Sequence, residues 1–274
     1  MTNRIAFVGG GHMATSLIGG LVARGVPAGA ITVADPAATQ RERLQRDFGV
    51  HVVEHGVAAV HEADVVVLAV KPQQMAEVCR AIAPALAARR PLVISIAAGI
   101  RLHDLGRWLG PSVPLVRTMP NRPALIGVGI TALYAGHEVD AAARAVADEV
   151  MAACGPTVWV RDEQQMDVVT AVSGSGPAYF FLLIEAIEQA AIELGLDPAT
   201  ARKLSVETAH GAGRMAASAF DSPAELREQV TSRGGTTAAA LEVLEAGGLR
   251  AILARAIAAA ARRSSELARD YGTV

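Results

Sequence analysis

Val65-Val66-Val67-Leu68-Ala69-Val70 is apolar at every position, without the alternation of a strand that turns one face to water. A short β-branched run of that kind fits a strand covered on both faces, and such strands belong to parallel sheets flanked by helices. Outward from it, the first half of the chain repeats the pattern. Residues 5–8, 31–34, 92–96 and 115–118 read as further strands with helical stretches between them. Alternation of this kind gives an α/β fold with a doubly wound parallel sheet of the Rossmann type. Residues 130–134 and 157–160 are expected to add strands at the far edge, with a helix over 141–153 between them.

Phe7-Val8-Gly9-Gly10-Gly11-His12-Met13-Ala14 places a G-x-G-x-x-A pattern between the first strand and a helix expected over 13–24. In that setting Gly9 makes the tight turn, Gly11 admits a pyrophosphate, and Ala14 lets the helix lie close to the sheet. Asp35 ends the second strand, where a carboxylate accepts both ribose hydroxyls of an adenosine and repels a 2′-phosphate. The alternative for Asp35-Pro36 is an N-cap with proline at the first helical position. Two further strand ends address the same crevice. Ala69-Val70-Lys71-Pro72 leaves Lys71 at a strand tip stopped by proline, and Ile96-Ala97-Ala98-Gly99 leaves room for a flat ring. Taken singly, each is also a plain strand-to-loop junction.

Near residue 163 the composition turns helical and stays so. Helices are expected over 164–172, 177–194, 198–219, 223–230, 237–245 and 249–269. Asp197-Pro198 reads as a cap followed by proline at N1, and Ser222-Pro223-Ala224-Glu225 as a capping box. The expected domains are therefore 1–162, binding a dinucleotide, and 163–274, all α. Tyr179-Phe180-Phe181-Leu182-Leu183-Ile184 is apolar around its whole circumference and must be covered from all sides, part of that cover coming from a second copy. His210-Gly211-Ala212-Gly213 adds small residues that let helices approach closely. A homodimer is the expectation; packing on the nucleotide domain is the alternative.

Gln229-Val230-Thr231-Ser232-Arg233-Gly234-Gly235-Thr236-Thr237-Ala238 is a polar, glycine-broken turn feeding an alanine-rich helix. Its hydroxyls, close backbone and free helix N–H groups suit a carboxylate or phosphate, and the plain alternative is an N-cap turn between two helices.

A chain of 274 residues with a net charge of −2 has room for two cores and gives no electrostatic reason for a nucleic-acid or membrane partner. Cys79 and Cys154 lie far apart and outside any C-x-x-C spacing, and the histidines show no metal-ligand spacing. Neither a disulfide framework nor a metal site is expected. The N-terminus does not read as a signal peptide, and no uninterrupted apolar run approaches the roughly 20 residues of a membrane span. A cytoplasmic location is expected.

Val230-Thr231-Ser232-Arg233-Gly234-Gly235-Thr236-Thr237, with Leu226 before it and Leu241-Glu242-Val243-Leu244-Glu245 after it, resembles the signature of pyrroline-5-carboxylate reductases. Ala69-Val70-Lys71-Pro72, Ser95-Ile96-Ala97-Ala98-Gly99, Met119-Pro120-Asn121 and Ala171-Val172-Ser173-Gly174-Ser175-Gly176-Pro177-Ala178-Tyr179 are similar to other motifs of that family, and the likeness runs from about residue 5 to 267. The resemblance implies reduction of the C=N bond of 1-pyrroline-5-carboxylate to L-proline with NADH or NADPH, in a homodimer that can close into a ring of dimers. It implies that Ser232, Gly234, Gly235, Thr236 and Thr237 hold the substrate carboxylate and that Glu163 lies near the substrate. It further implies that Met119, Pro120 and Asn121 flank the nicotinamide. With Gly9, Gly11, His12, Met13, Ala14, Asp35, Ala69, Val70, Lys71, Pro72, Ala97 and Ala98 they make up the expected cofactor site.

The residue inventory agrees with that chemistry. A protonated imine is already electrophilic, so the enzyme must orient donor and acceptor and hold the carboxylate; no metal or covalent nucleophile is needed. Thr237 is the candidate catalytic residue, hydrogen-bonding the ring nitrogen directly or through water. Some residues depart from the family pattern: His12 and Gly56 replace asparagines, Arg122 a threonine and Arg233 a proline. Asp35 tilts the cofactor expectation towards NADH. Two other readings compete. One is a hydroxyacid-dehydrogenase-like oxidoreductase, which would need a catalytic lysine that neither Lys71 nor Lys203 supplies in a K-x-x-N motif. The other is a non-catalytic dinucleotide-binding regulatory protein.

Overall fold

The computed structural model describes residues 3–272. Its eight strands are β1 (Ile5–Val8), β2 (Ile31–Ala34), β3 (His51–Val53), β4 (Val65–Leu68), β5 (Leu92–Ser95), β6 (Leu115–Met119), β7 (Thr131–Ala135) and β8 (Thr157–Trp159). They form one sheet in the order β3-β2-β1-β4-β5-β6-β7-β8, in which only the β6–β7 pair is antiparallel. Between them run α1 (His12–Ala23), α2 (Ala38–Phe48), α3 (Gly56–Val60), α4 (Met75–Leu86), α5 (Leu102–Leu109) and α6 (Ala141–Met151). The strand order reverses between β1 and β4, and that switch point opens a crevice at the carboxyl ends of the strands.

The uniformly apolar strands divide their side chains between two cores. Ile5, Phe7, Val65 and Val67 pack on one face of the sheet with Leu17, Ile18 and Leu21 of α1. Ala6, Val8, Val66 and Leu68 pack on the other with Ile82 and Leu86 of α4 and Leu105 and Trp108 of α5. A residue shift of one in register would exchange the two sets, so the pairing Ile5↔Val65 through Val8↔Leu68 is tightly specified. At roughly 2 kcal/mol for each large side chain removed from water, burial on both faces supplies most of the driving force for this sheet.

The helical half continues with α7 (Gln165–Val169), a π-turn over Thr170–Gly174, α8 (Gly176–Glu193), α9 (Pro198–Ser218), α10 (Pro223–Gln229), α11 (Thr236–Ala246) and α12 (Leu249–Gly272). The start signals act as their chemistry requires. Asp197 Oδ1 accepts from the Thr200 N–H at 3.1 Å, and Ser222 with Glu225 closes a reciprocal capping box. Two compact units result. One is the chain up to Gly174 together with Ala259 onward, and the other is Ser175–Ala258. The expected division at 162/163 falls twelve residues before this one, and the sequence carried no sign that the end of α12 belongs to the first unit.

β3 and α3 are absent from the strand and helix pattern expected from sequence. His51-Val52-Val53 is too short to show a period, and it forms the exposed edge of the sheet. In α8, Phe180, Phe181 and Leu182 are each more than 60% exposed within the single chain. By length and composition alone, the stretch Gln165–Glu193 is apolar enough to cross a membrane, which the sequence reading did not anticipate.

Candidate functional site

The glycine loop at the switch point is shaped by close contacts at two positions, of which the first admits no other residue. Gly9 has φ +101, and a Cβ there would lie 2.7 Å from the Ala69 carbonyl oxygen. A Cβ on Gly10 would meet Leu44 at 2.7 Å. The Gly10 N–H donates to Asp35 Oδ2 at 2.9 Å, while its carbonyl accepts from the Gln40 side-chain amide and, at 3.3 Å, from the Thr15 hydroxyl. Gly11 differs: nothing lies within 4 Å of a Cβ built on it. It is the N-cap of α1 and brings no side-chain acceptor to the first turn. The loop thus presents open space and unclaimed helix N–H groups where a pyrophosphate belongs. His12 is exposed, Met13 is half-buried and Ala14 is buried against the sheet.

Asp35 is not the cap of α2, whose N-cap is Ala37. Its Oδ1 accepts from the Ala37 N–H at 2.9 Å, closing an Asx-type turn, while Oδ2 reaches back to the glycine loop. Arg41 Nη1 donates to the carbonyls of Asp35 and Pro36 at 2.7 and 2.9 Å, which puts a fixed cation at the tip of β2. Two of the carboxylate's about four acceptor positions are used by the backbone. Gly56 opens α3, and a Cβ there would sit 3.1 Å from Ile82 and 3.2 Å from Val8. A larger residue there would press on both side chains.

The remaining cofactor candidates line the same edge. Ala69 and Val70 are half-buried, Lys71 is exposed, and Pro72 opens a 3-10 turn over Pro72–Gln74. Ala97 is buried and Ala98 exposed after β5; Met119 ends β6, and Pro120 and Asn121 follow it. Asn121 also braces its own loop, accepting from the Ile130 N–H at 2.9 Å and donating to the Ser173 carbonyl at 3.2 Å. The Met119 methyl lies directly against Gly174, so a side chain there would have to displace it.

Glu163 sits in the first unit. Its Oε1 accepts from the Leu102 N–H, the first of α5, at 2.8 Å and from Arg117 Nη1 at 3.1 Å. Arg117 is 3% exposed, so this is a buried guanidinium with its counter-ion. The sequence reading missed Arg117, although a lone charge inside the apolar run Leu115-Val116-Arg117-Thr118 was a readable signal. Burial pushes the Cys79 thiol up to about 12 and the Cys154 thiol up to about 11, leaving both protonated and unreactive. Among the described residues, no group of three His, Cys, Asp or Glu side chains could hold a metal ion.

The turn before α11 lies in the second unit. Thr231 donates to the Arg227 carbonyl, the Gly235 N–H to the Ser232 carbonyl, and Gly234 takes φ +71. The N-cap of α11 is Gly235, which has no side chain with which to cap. A Cβ there would meet Ser232 Oγ at 2.4 Å, so the hydroxyl lies over the helix start. Thr236 and Thr237 are the first two helical residues, Thr237 half-buried. An ordinary N-cap turn would satisfy one of these N–H groups with its own oxygen; this one leaves them for another acceptor. Arg122 and Arg233 are exposed.

Comparison with known proteins agrees with this architecture. Residues 163–267 match the family model described as pyrroline-5-carboxylate reductase dimerisation, and residues 4–99 match one described as NADP oxidoreductase coenzyme F420-dependent. A curated pyrroline-5-carboxylate reductase of Pseudomonas aeruginosa is 52% identical over 271 residues, covering 99% of each chain. Among solved structures, a pyrroline-5-carboxylate reductase from Coxiella burnetii aligns with a TM-score of 0.95 at 41% identity, covering 97% of this chain and 99% of its own. A pyrroline carboxylate reductase from Plasmodium falciparum, solved with NADP bound, aligns at 0.83 with 26% identity over 97% and 98%. On likeness of this extent, together with a glycine loop and a pre-α11 turn shaped as described, the chain belongs to the pyrroline-5-carboxylate reductase family.

Proposed function

We propose that this chain is an NAD(P)H-dependent oxidoreductase that reduces the C=N bond of 1-pyrroline-5-carboxylate to L-proline, the last step of proline synthesis. The observation that carries the reading is the 52% identity, over 99% of both chains, to a reductase of that name. Bound NAD(P)H supplies the hydride. The chain supplies position: Gly9 and Gly11 shape the pyrophosphate turn. Asp35 accepts from the adenosine ribose. Ala69–Pro72 and Ala97–Ala98 wall the crevice, and Met119-Pro120-Asn121 border the ring that faces the substrate. Ser232, Gly234, Gly235, Thr236 and Thr237 hold the substrate carboxylate on the open N-terminus of α11, and Thr237 hydrogen-bonds the ring nitrogen directly or through water, its hydroxyl oxygen accepting from the protonated imine N–H, which keeps the iminium carbon in line. In this reading Glu163 lies near the substrate, where its negative charge favours the protonated imine. Fixing both partners in this way supplies the larger part of such a rate enhancement, because a well-oriented bimolecular step gains several kcal/mol.

The functional division at 162/163 is supported by the dimerisation family model, which begins at residue 163. The protein is a homo-oligomer acting on a small molecule. In this reading it is a dimer built on the apolar circumference of Tyr179–Ile184 and can assemble into a ring of dimers, and it works in the cytoplasm without membrane or nucleic acid. NADH is preferred to NADPH, since Asp35 keeps free acceptor positions for ribose hydroxyls and would repel a 2′-phosphate. The test is cofactor oxidation followed by absorbance with 1-pyrroline-5-carboxylate, NADH and NADPH side by side, with proline identified as product. Cofactor binding without imine-dependent oxidation would replace this reading by that of a non-catalytic dinucleotide-binding protein. Turnover of a hydroxyacid and not of the imine would replace it by the hydroxyacid-dehydrogenase reading.

A further inference from the structure

The end of α12 lies on the first unit along one stripe of the helix. Ser264 donates to Asp167 Oδ1 at 2.7 Å, Ala268 is buried, and Tyr271 packs against the core cluster that contains Ala97 and Ile100. Spacings of four and three residues place these three side chains on one face. The last turn is fixed by α5: Arg107 donates to the Gly272 carbonyl and also approaches Asp104 at 3.4 Å. From that anchored turn the Tyr271 ring reaches the loop after β5. Gly99 has φ +75, and a Cβ built on it would lie 3.1 Å from the ring, so the tyrosine rests directly on the backbone there. Its hydroxyl accepts from Gln73 Nε2 at 3.2 Å, and Gln73 follows Lys71-Pro72 after β4.

We propose that Tyr271 is a positioning residue for the nicotinamide cofactor, tying the loop after β4 to the loop after β5 so that both keep the shape the cofactor binds. The inference rests on the reading that Ala69–Pro72 and Ala97–Ala98 hold NAD(P)H. The Gln73–Tyr271 bond adds a polar tie to the apolar packing of Val70 with Ala97 and Ile100, and both loops contain exposed residues, Lys71 and Ala98, that contribute little packing of their own. Tyr271 therefore acts on affinity through the fraction of time in which both walls are in place, since apparent affinity falls with the population of the competent form. Both linked loops lie in the first unit, remote in sequence from the substrate turn at 232–237, so its effect belongs to the cofactor and not to the imine.

The experiment uses the full chain and titrates NADH and NADPH by fluorescence, with steady-state KM values for cofactor and imine measured alongside. Tyr271→Ala is expected to raise the cofactor Kd about fivefold, the equivalent of one modest hydrogen bond with its packing, and to leave the imine KM within twofold. Tyr271→Phe keeps the ring on Gly99 and loses only the bond to Gln73, so its Kd rises about twofold. Gln73→Ala removes the same bond from the exposed side, and the Gln73→Ala/Tyr271→Phe double variant should be no weaker than either single one. Unchanged cofactor Kd in variants that melt like the native chain would overturn the proposal. So would a Tyr271→Ala protein in which cofactor and imine KM rise together, the mark of general loosening. If Tyr271→Ala does not fold, Gln73→Ala decides alone: an unchanged Kd overturns the proposal and a raised one supports it. A native chain that binds neither cofactor overturns the underlying assignment of the crevice, a result visible before any variant is made.

Discussion

Replacing Glu163 separates two roles that its position allows. Its Oε1 is the counter-ion of Arg117, which is 3% exposed, and the acceptor for the first N–H of α5. Glu163→Ala leaves a guanidinium buried without a counter-charge, and breaking a buried pair from one side costs about 3–5 kcal/mol. For a folding unit of this size each kcal/mol moves Tm by about 2–4 °C, so the melting temperature should fall by about 10 °C at fixed protomer concentration. Arg117→Met/Glu163→Met removes both charges and should recover most of that loss, because no unpaired ion remains in the core. Glu163→Gln keeps an oxygen for both donors but removes the negative charge. If the charge assists the protonated imine, kcat/KM for the imine drops about tenfold in this variant while the cofactor Kd stays put. Calorimetry and kinetics on the four proteins check the argument. A fall of less than 2 °C in Glu163→Ala would show that Arg117 is solvated in spite of its burial, and unchanged imine kinetics in Glu163→Gln would leave Glu163 a structural pin.

Thr237→Ala should lower kcat/KM for the imine at least tenfold, about 1.4 kcal/mol, with the cofactor constant nearly unchanged; untouched imine kinetics would reduce the turn to a helix start. Asp35→Ser should shift the ratio of kcat/KM towards NADPH by about tenfold, and a native preference for NADPH, with Arg41 taking the phosphate, would refute the ribose assignment. Phe181→Glu should aggregate or dissociate, since a carboxylate buried in an apolar interface costs several kcal/mol, and sedimentation showing an active native monomer at micromolar concentration would remove the dimer. The two thiols give a pH dependence. Their folded pKa values, about 12 and about 11, lie above the ordinary thiol value, so between roughly pH 9 and 11 the unfolded chain loses protons that the folded chain keeps. Stability should fall by about 1.4 kcal/mol per pH unit for each thiol over that window, and denaturant titrations of a Cys79→Ala/Cys154→Ala variant should show a flatter profile.

The parts of this molecule that a sequence displays are those whose cause is local. Val65-Val66-Val67-Leu68 shows its two covered faces in four residues, Ser222 and Glu225 show a capping box in four, and the glycine loop shows its turn in six. The structure adds the reason that Gly9 cannot vary, which is the carbonyl of Ala69, sixty residues away. What stayed hidden rests on pairs of that kind. Glu163 with Leu102 and Arg117, Asp35 with Gly10, and Tyr271 with Gln73 are brought together by topology, and no period or spacing announces them. The resemblance of motifs supplied the site residues, but it could not supply what each one touches. Asp35 illustrates the difference: the sequence offered a ribose ligand or a helix cap, and the carboxylate is found bracing the glycine loop and its own turn.

The first unit is discontinuous in sequence, its last segment beginning at Ala259 after the whole of the second unit. Its closure therefore waits on a segment that leaves the ribosome after the other described helices, and the contacts of Ser264 and Tyr271 reach far back along the chain. Forming them carries the entropy of closing a loop of nearly a hundred residues back to Asp167, and of nearly two hundred back to Gln73. Contacts of that separation slow folding and come late. A nascent chain would carry a sheet already paired but not yet sealed at the edge where β4 and β5 end, and the final helix would act as its closing seam.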